Sequence, residues 1–174
     1  MKTIIKLILP CFAVLLGIYT CEKEGTLTGS PSGKLNSSTG CNIFKSTAEA
    51  EHMADTLCCM EYSYNAENDK LQLKHINAGF NCCPEEIKGE VSFVNDTVII
   101  KESERDGLCD CLCLYDLNYT LTGIRKKTYT ICFIEPYAGD QEKLNVSIDL
   151  TKNSGGLTCV VRKKYPWGQF IEGL

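Results

Sequence analysis

From Cys109 to Leu121 the side chains alternate without a break. Cys109, Cys111, Cys113, Tyr115, Leu117, Tyr119 and Leu121 fall on one face, while Asp110, Asp116, Asn118 and Thr120 share the other with Leu112 and Leu114. Successive side chains point to opposite sides only in an extended chain, so this run predicts a long strand with an apolar, cysteine-bearing inner face. Its partner is expected after Gly123, where Tyr129, Ile131 and Phe133 repeat the same period.

The rest of the chain reads in the same way. Cys58, Met60, Tyr62 and Tyr64 line one strand face, and Leu71, Leu73 and His75 line another after the turn-forming Asn65 to Asp69, which predicts a hairpin. Val91 to Val94 and Thr97 to Ile100 flank Asn95-Asp96, a two-residue connection suited to positive φ. Leu144 to Leu150 and Leu157 to Arg162, joined through Asn153-Ser154-Gly155-Gly156, read as a last hairpin. About seven short strands with frequent turns predict an all-β fold, a single antiparallel β-sandwich. One short helix is expected at Thr47 to Leu57. Ser46 and Glu49 form a capping box there, and Ala50, Met53, Ala54 and Leu57 make one apolar stripe.

The N-terminal segment has another character. Lys2 and Lys6 precede an apolar run from Leu7 to Thr20 that is too short to span a bilayer, the pattern of an export signal over residues 1–20. Ile18-Tyr19-Thr20-Cys21 resembles the lipobox of bacterial lipoproteins, which implies a cut before Cys21 and lipidation of its sulfur. Several acyl chains on one residue suffice for stable anchoring. Glu22-Lys23-Glu24 resembles the charged tags of lipoproteins that reach the outer surface in Bacteroidota. Residues 25–40 are rich in Gly, Ser, Thr and Pro, so 21–40 is expected to be a lipidated N-terminus and flexible linker ahead of a sandwich domain over 41–174.

The stretch Tyr119 to Ile131 resembles a strand pair of immunoglobulin-like and transthyretin-like sandwiches. In these a strand ends in Gly plus an aliphatic residue, here Gly123-Ile124, and the return strand opens with Tyr-x-Ile, here Tyr129 to Ile131. With its leader, its linker, Asn81-Cys82-Cys83-Pro84 and Cys109-x-Cys111-x-Cys113, the whole chain resembles the small cysteine-rich lipoproteins of Bacteroidota. The resemblance implies a location in the bacterial cell envelope, at the outer membrane, and implies no activity.

The chain holds 12 cysteines, an excess that calls for disulfides, a metal or a redox role. Setting aside Cys11 in the leader and Cys21 under lipid leaves Cys41, Cys58, Cys59, Cys82, Cys83, Cys109, Cys111, Cys113, Cys132 and Cys159, an even set that fits five bridges. Residues i and i+2 of a strand lie near the upper limit for a disulfide, so Cys109, Cys111 and Cys113 are each expected to have a separate partner. Adjacent cysteines face opposite ways, so Cys58 with Cys59, and Cys82 with Cys83, can tie their strands to two neighbours. Two alternatives stay open, buried reduced thiols and a thiolate metal site on Cys109, Cys111 and Cys113. No Cys-x-x-Cys opens a helix, which argues against thiol redox catalysis.

The other motifs point away from catalysis. His75 lies on an apolar strand face and reads as a core histidine with a satisfied hydrogen bond. No serine or acid beside it completes a triad, and Glu102 to Asp106 read as a solvated turn. No phosphate-cradling loop and no paired carboxylates occur, and nothing calls for a cofactor. Net charge is −4, more negative once Lys2 and Lys6 leave with the leader, and the only basic cluster is Arg162-Lys163-Lys164, so nucleic acid is excluded as a partner. Tyr165, Trp167 and Phe170 could contact a ligand, although such a tail more often plugs one end of a sandwich. The expectation is a non-enzymatic binding or structural module, lipid-anchored in the membrane, with a glycan or protein as ligand.

Overall fold

The computed structural model describes residues 30–41, 53–107 and 109–168, and no helix occurs among them. Nine strands follow in order: β1 (Ser32–Ser38), β2 (Leu57–Asn65), β3 (Lys70–Asn81), β4 (Glu86–Val94), β5 (Thr97–Arg105), β6 (Leu112–Thr122), β7 (Thr128–Ile134), β8 (Asn145–Asp149) and β9 (Gly155–Val161). They form a five-stranded sheet, β1-β6-β3-β2-β9, and a four-stranded sheet, β4-β5-β7-β8. Inward residues of both sheets share one core, including Leu71, Leu73, Leu117 and Leu121 from the first and Val98, Ile100, Ile131 and Val146 from the second. The fold is all-β and sandwich-like.

Two of the expected hairpins are present, β2–β3 and β4–β5, and Asn95 takes the positive φ its turn requires, at 54°. Two others are not hairpins. β6 and β7 lie in different sheets, as do β8 and β9, so Gly123 to Lys127 and Leu150 to Ser154 cross between layers. The reason is visible at the first crossing. Gly123 turns with φ 71°, Ile124 is fully buried, and the Arg125 amide donates to Tyr129 Oη at 3.1 Å, so the chain folds over into the opposite layer. The four-stranded sheet is also mixed, because β5 and β7 run parallel.

The N-terminal expectations change in two places. Residues 32–38, read as flexible linker, form β1 on the edge of β6. This segment is strand by virtue of the backbone it meets, helped by Asn36 Nδ2 donating to Thr120 Oγ1 at 2.6 Å and by Leu35 packing on the core. Of the expected helix, residues 42–52 lie outside the described residues, while Asp55 and Thr56 form a turn and Leu57 already belongs to β2. The leader, Cys21 and Phe170 also lie outside the described residues.

Among the described residues four disulfides are formed: Cys41–Cys113, Cys59–Cys159, Cys82–Cys111 and Cys83–Cys109. Cys109, Cys111 and Cys113 have separate partners, and the two sulfurs of Cys82 and Cys83 reach one neighbouring segment rather than two. Asn81 organises that corner. Its Oδ1 accepts from the Cys83 and Cys109 amides at 2.9 and 3.0 Å, and its Nδ2 donates to the Cys109 carbonyl at 2.5 Å. A fifth bridge, between Cys58 and Cys132, is absent, and both residues are thiols. Cys58 points from β2 into the space between the sheets. Cys132 alternates with the inward Ile131 and Phe133 and so lies on the outer face of β7.

Alkylation of the unfolded, unreduced domain should therefore label two cysteines from Cys41 onward, Cys58 and Cys132, and peptide mass mapping reads this directly. Replacing Cys59 and Cys159 together by Ala should lower stability by about 2–4 kcal/mol in a denaturant titration.

Candidate functional site

Several inward strand faces end in a polar residue at the same end of the sandwich. On β3 His75 follows Leu71 and Leu73; on β5 Glu102 follows Val98 and Ile100; beyond β7 Glu135 follows Ile131 and Phe133; beyond β9 Arg162 follows Val160. Cys58, at the start of β2, faces them. Period two carries each of these side chains inward, so alternation alone delivers a polar cluster into the core.

The cluster is sealed. Cys58 and His75 are wholly buried, the side chains of Glu102 and Glu135 are 0% and 1% exposed, and Arg162 is 1% exposed. Cys58 Sγ lies 3.1 Å from His75 Nε2 and 3.6 Å from Glu135 Oε1. His75 Nδ1 is 2.8 Å from Glu102 Oε1, which also accepts the Tyr119 hydroxyl at 2.7 Å. Arg162 donates through Nη2 to Glu135 Oε2 and, at 3.6 Å, to Cys58 Sγ, and through Nη1 to the Glu142 carbonyl. Glu102 Oε2 and Arg162 Nε are buried with no hydrogen-bond partner.

Neighbouring elements hold these groups in place. The Phe133 ring packs on the His75 imidazole with centroids 4.5 Å apart. Gly89 leaves room for Tyr119, since a Cβ there would fall 2.5 Å from the ring. β3 bulges between His75 and Ala78, with Asn77 at φ 60°, and the displaced Asn77 carbonyl accepts Trp167 Nε1 at 2.8 Å. Trp167 in turn lies under the Arg162 guanidinium, 5.0 Å from ring centre to Cζ.

The environment sets the protonation of two groups. Burial alone would lower the His75 imidazole, but Glu102 and then Cys58 outweigh it and hold it well above its ordinary range. Burial first, then Glu102, raises the Tyr119 phenol, which stays protonated as a donor.

Cys58, His75 and Glu102 are in line as a nucleophile, a base and an orienting acid, but substrate has no access to a sulfur with no exposed surface. The sequence-derived candidates fare differently. His75 is a core histidine bonded on both nitrogens, as expected. Trp167 is 2% exposed and closes the end of the sandwich, so it is not a ligand contact. Tyr165 is 53% exposed, and its hydroxyl bonds the backbone of Leu112. The sulfurs of Cys82, Cys109 and Cys111 lie close together because two disulfides are adjacent, and Cys113 is bridged as well, which leaves no thiolate for a metal on that strand.

Glu102, read from the sequence as part of a solvated turn, lies buried in β5, and Glu135 and Arg162 were not anticipated as site residues. The signal was present, because each continues the alternation of an apolar strand face by one more step. No protein-family model matches the chain, nor does any curated protein or solved structure.

Two stability measurements follow from this arrangement. Arg162→Met removes the guanidinium that pairs with Glu135 in the interior and should cost about 3–5 kcal/mol in a urea titration, whereas Tyr119→Phe, which removes one donor to Glu102, should cost about 1–3 kcal/mol. Under native conditions a thiol reagent should modify Cys132 and spare Cys58; equal rates would contradict the enclosure.

Proposed function

We propose that the protein is a lipid-anchored module of a bacterial envelope that binds a ligand or plays a structural part and catalyses no reaction. The observation that carries the non-catalytic reading is the enclosure of Cys58 and His75, which puts the one nucleophile and base pair among the described residues beyond the reach of a substrate. The bridges support a life outside the cytosol, since disulfides persist in oxidising compartments. Anchoring rests on the leader and on Cys21. The finer, immunoglobulin-like assignment rests on the Gly123-Ile124 crossing and on the bond between Tyr129 and Arg125.

The surface suits a polar ligand. On the outer face of the five-stranded sheet an open groove of about 300 Å³ is lined by Asn36, Ser63, Gln72, Asn118 and Thr120, with Glu61 and Lys74 beside them. Amides and hydroxyls of this kind offer donors and acceptors with little net charge, which fits a neutral glycan or a peptide backbone. A thiolate reading through Cys109, Cys111 and Cys113 has no support where each sulfur is bonded to another.

Glycan and protein arrays probed with the full chain test the binding reading. Reproducible binding weakened by Gln72→Ala with Asn118→Ala is the expected result, and turnover of any substrate would overturn it. In a bacterial envelope, Cys21→Ala should move the protein from the detergent-extracted membrane fraction to the soluble fraction.

A further inference from the structure

Three side chains of the buried cluster aim a ligand atom at one point. Cys58 Sγ, His75 Nε2 and Glu135 Oε1 are separated by 3.1, 3.6 and 3.7 Å from one another. A tetrahedral ion with bonds of about 2.0–2.3 Å has edges of about 3.3–3.8 Å, so these separations are close to those of three vertices around one metal. Thiolate, imidazole and carboxylate together suit a divalent ion of borderline softness, zinc before magnesium or calcium.

What surrounds the three is as informative as the three themselves. A metal-bound histidine usually gives its other nitrogen to a carboxylate, and His75 Nδ1 meets Glu102 Oε1 at 2.8 Å. A ligating carboxylate is usually held on its free oxygen, and Arg162 holds Glu135 Oε2. A metal thiolate commonly accepts an N–H, and Arg162 Nη2 stands 3.6 Å from Cys58 Sγ. Tyr119 then fixes Glu102 from the far side at 2.7 Å. Beside the three ligands Glu102 Oε2 is buried with no hydrogen-bond partner, an acceptor left open next to the site.

The geometry points to a buried metal site in which Cys58, His75 and Glu135 bind one divalent transition-metal ion, zinc in the first instance, between the two sheets. Glu102 and Arg162 are its positioning residues. No other His, Cys, Asp or Glu among the described residues joins the group, so the fourth position falls to an enclosed water or hydroxide. Because the ligands come from β2, β3 and the segment after β7, which meet only when the sheets close, the ion enters as the chain folds and is kept until it unfolds. The site differs from any surface binding by the groove and does not depend on it.

The test uses the full chain, refolded oxidatively with zinc or with cobalt(II) and then dialysed against a chelator. The expected result is one ion per chain, retained until denaturant releases it, with X-ray absorption of the zinc form showing one sulfur and the remainder nitrogen or oxygen. The cobalt form should show a sulfur-to-metal charge-transfer band in the near ultraviolet that is kept in Cys132→Ser and lost in Cys58→Ser. Glu102→Gln should bind the ion about 10–100-fold more weakly at unchanged stoichiometry. If Cys58→Ser does not fold, the absorption spectrum of the unaltered protein decides alone. Refolded protein that retains no ion, a metal shell without sulfur, or a charge-transfer band that follows Cys132 would overturn the proposal.

Discussion

Arg162 enters the space between the sheets and meets Glu135 there, and the other polar groups at that end are disposed around this pair. An unpaired charge in such a place would cost several kcal/mol, so neither residue is tolerable without the other. Glu135 also faces Cys58 and His75, and His75 passes the constraint on to Glu102 and Tyr119. A chain of contacts thus joins β2, β3, β5 and β6 with the segments after β7 and β9. It specifies which strand ends must meet, because a shift of one residue on any of these strands would turn its member of the cluster to the outer face.

The covalent links gather at the same end. Cys59–Cys159 joins β2 to β9 one residue from Cys58, Cys41–Cys113 ties the chain after β1 to β6, and the pairs at Cys82 and Cys83 clamp the corner between β3 and β6. The opposite end is closed by ordinary apolar packing of Leu71, Leu121, Ile124 and Ile148. Burying polar groups gains less than burying hydrocarbon, and the bridges offset this by lowering the chain entropy of the unfolded state. Trp167 completes the closure by bonding the bulged Asn77 carbonyl and covering Arg162.

Much of this was legible in the residues. Alternation placed the inward faces of β2, β3 and β6, and Asn95-Asp96 marked the β4–β5 turn through its backbone preference. Cys109, Cys111 and Cys113 have the separate partners expected of them, although only Cys113 lies in the strand, which begins at Leu112 rather than at Cys109. Alternation also ran through Glu102, Glu135 and Arg162, but a charge at the end of an apolar face looks like the start of a loop until a partner from another strand is known. That partner is a matter of topology. Glu102 meets His75 across 27 residues, and Arg162 meets Glu135 across 27. The inter-sheet crossings were hidden for a related reason, since a short polar connection reads alike whether it returns to its own sheet or leaves for the other. β1 carried the least signal, because Ser32, Gly33, Ser37 and Ser38 have little strand preference and are ordered by the edge of β6.

Nitrogen-15 NMR of the Arg162 guanidinium tests most directly whether a dry, fully paired cluster holds this end together. Separate, slowly exchanging Nη resonances at neutral pH, protected to the degree of core amides, are the expected result. A single averaged signal in rapid exchange with water, as a solvated arginine gives, would contradict it.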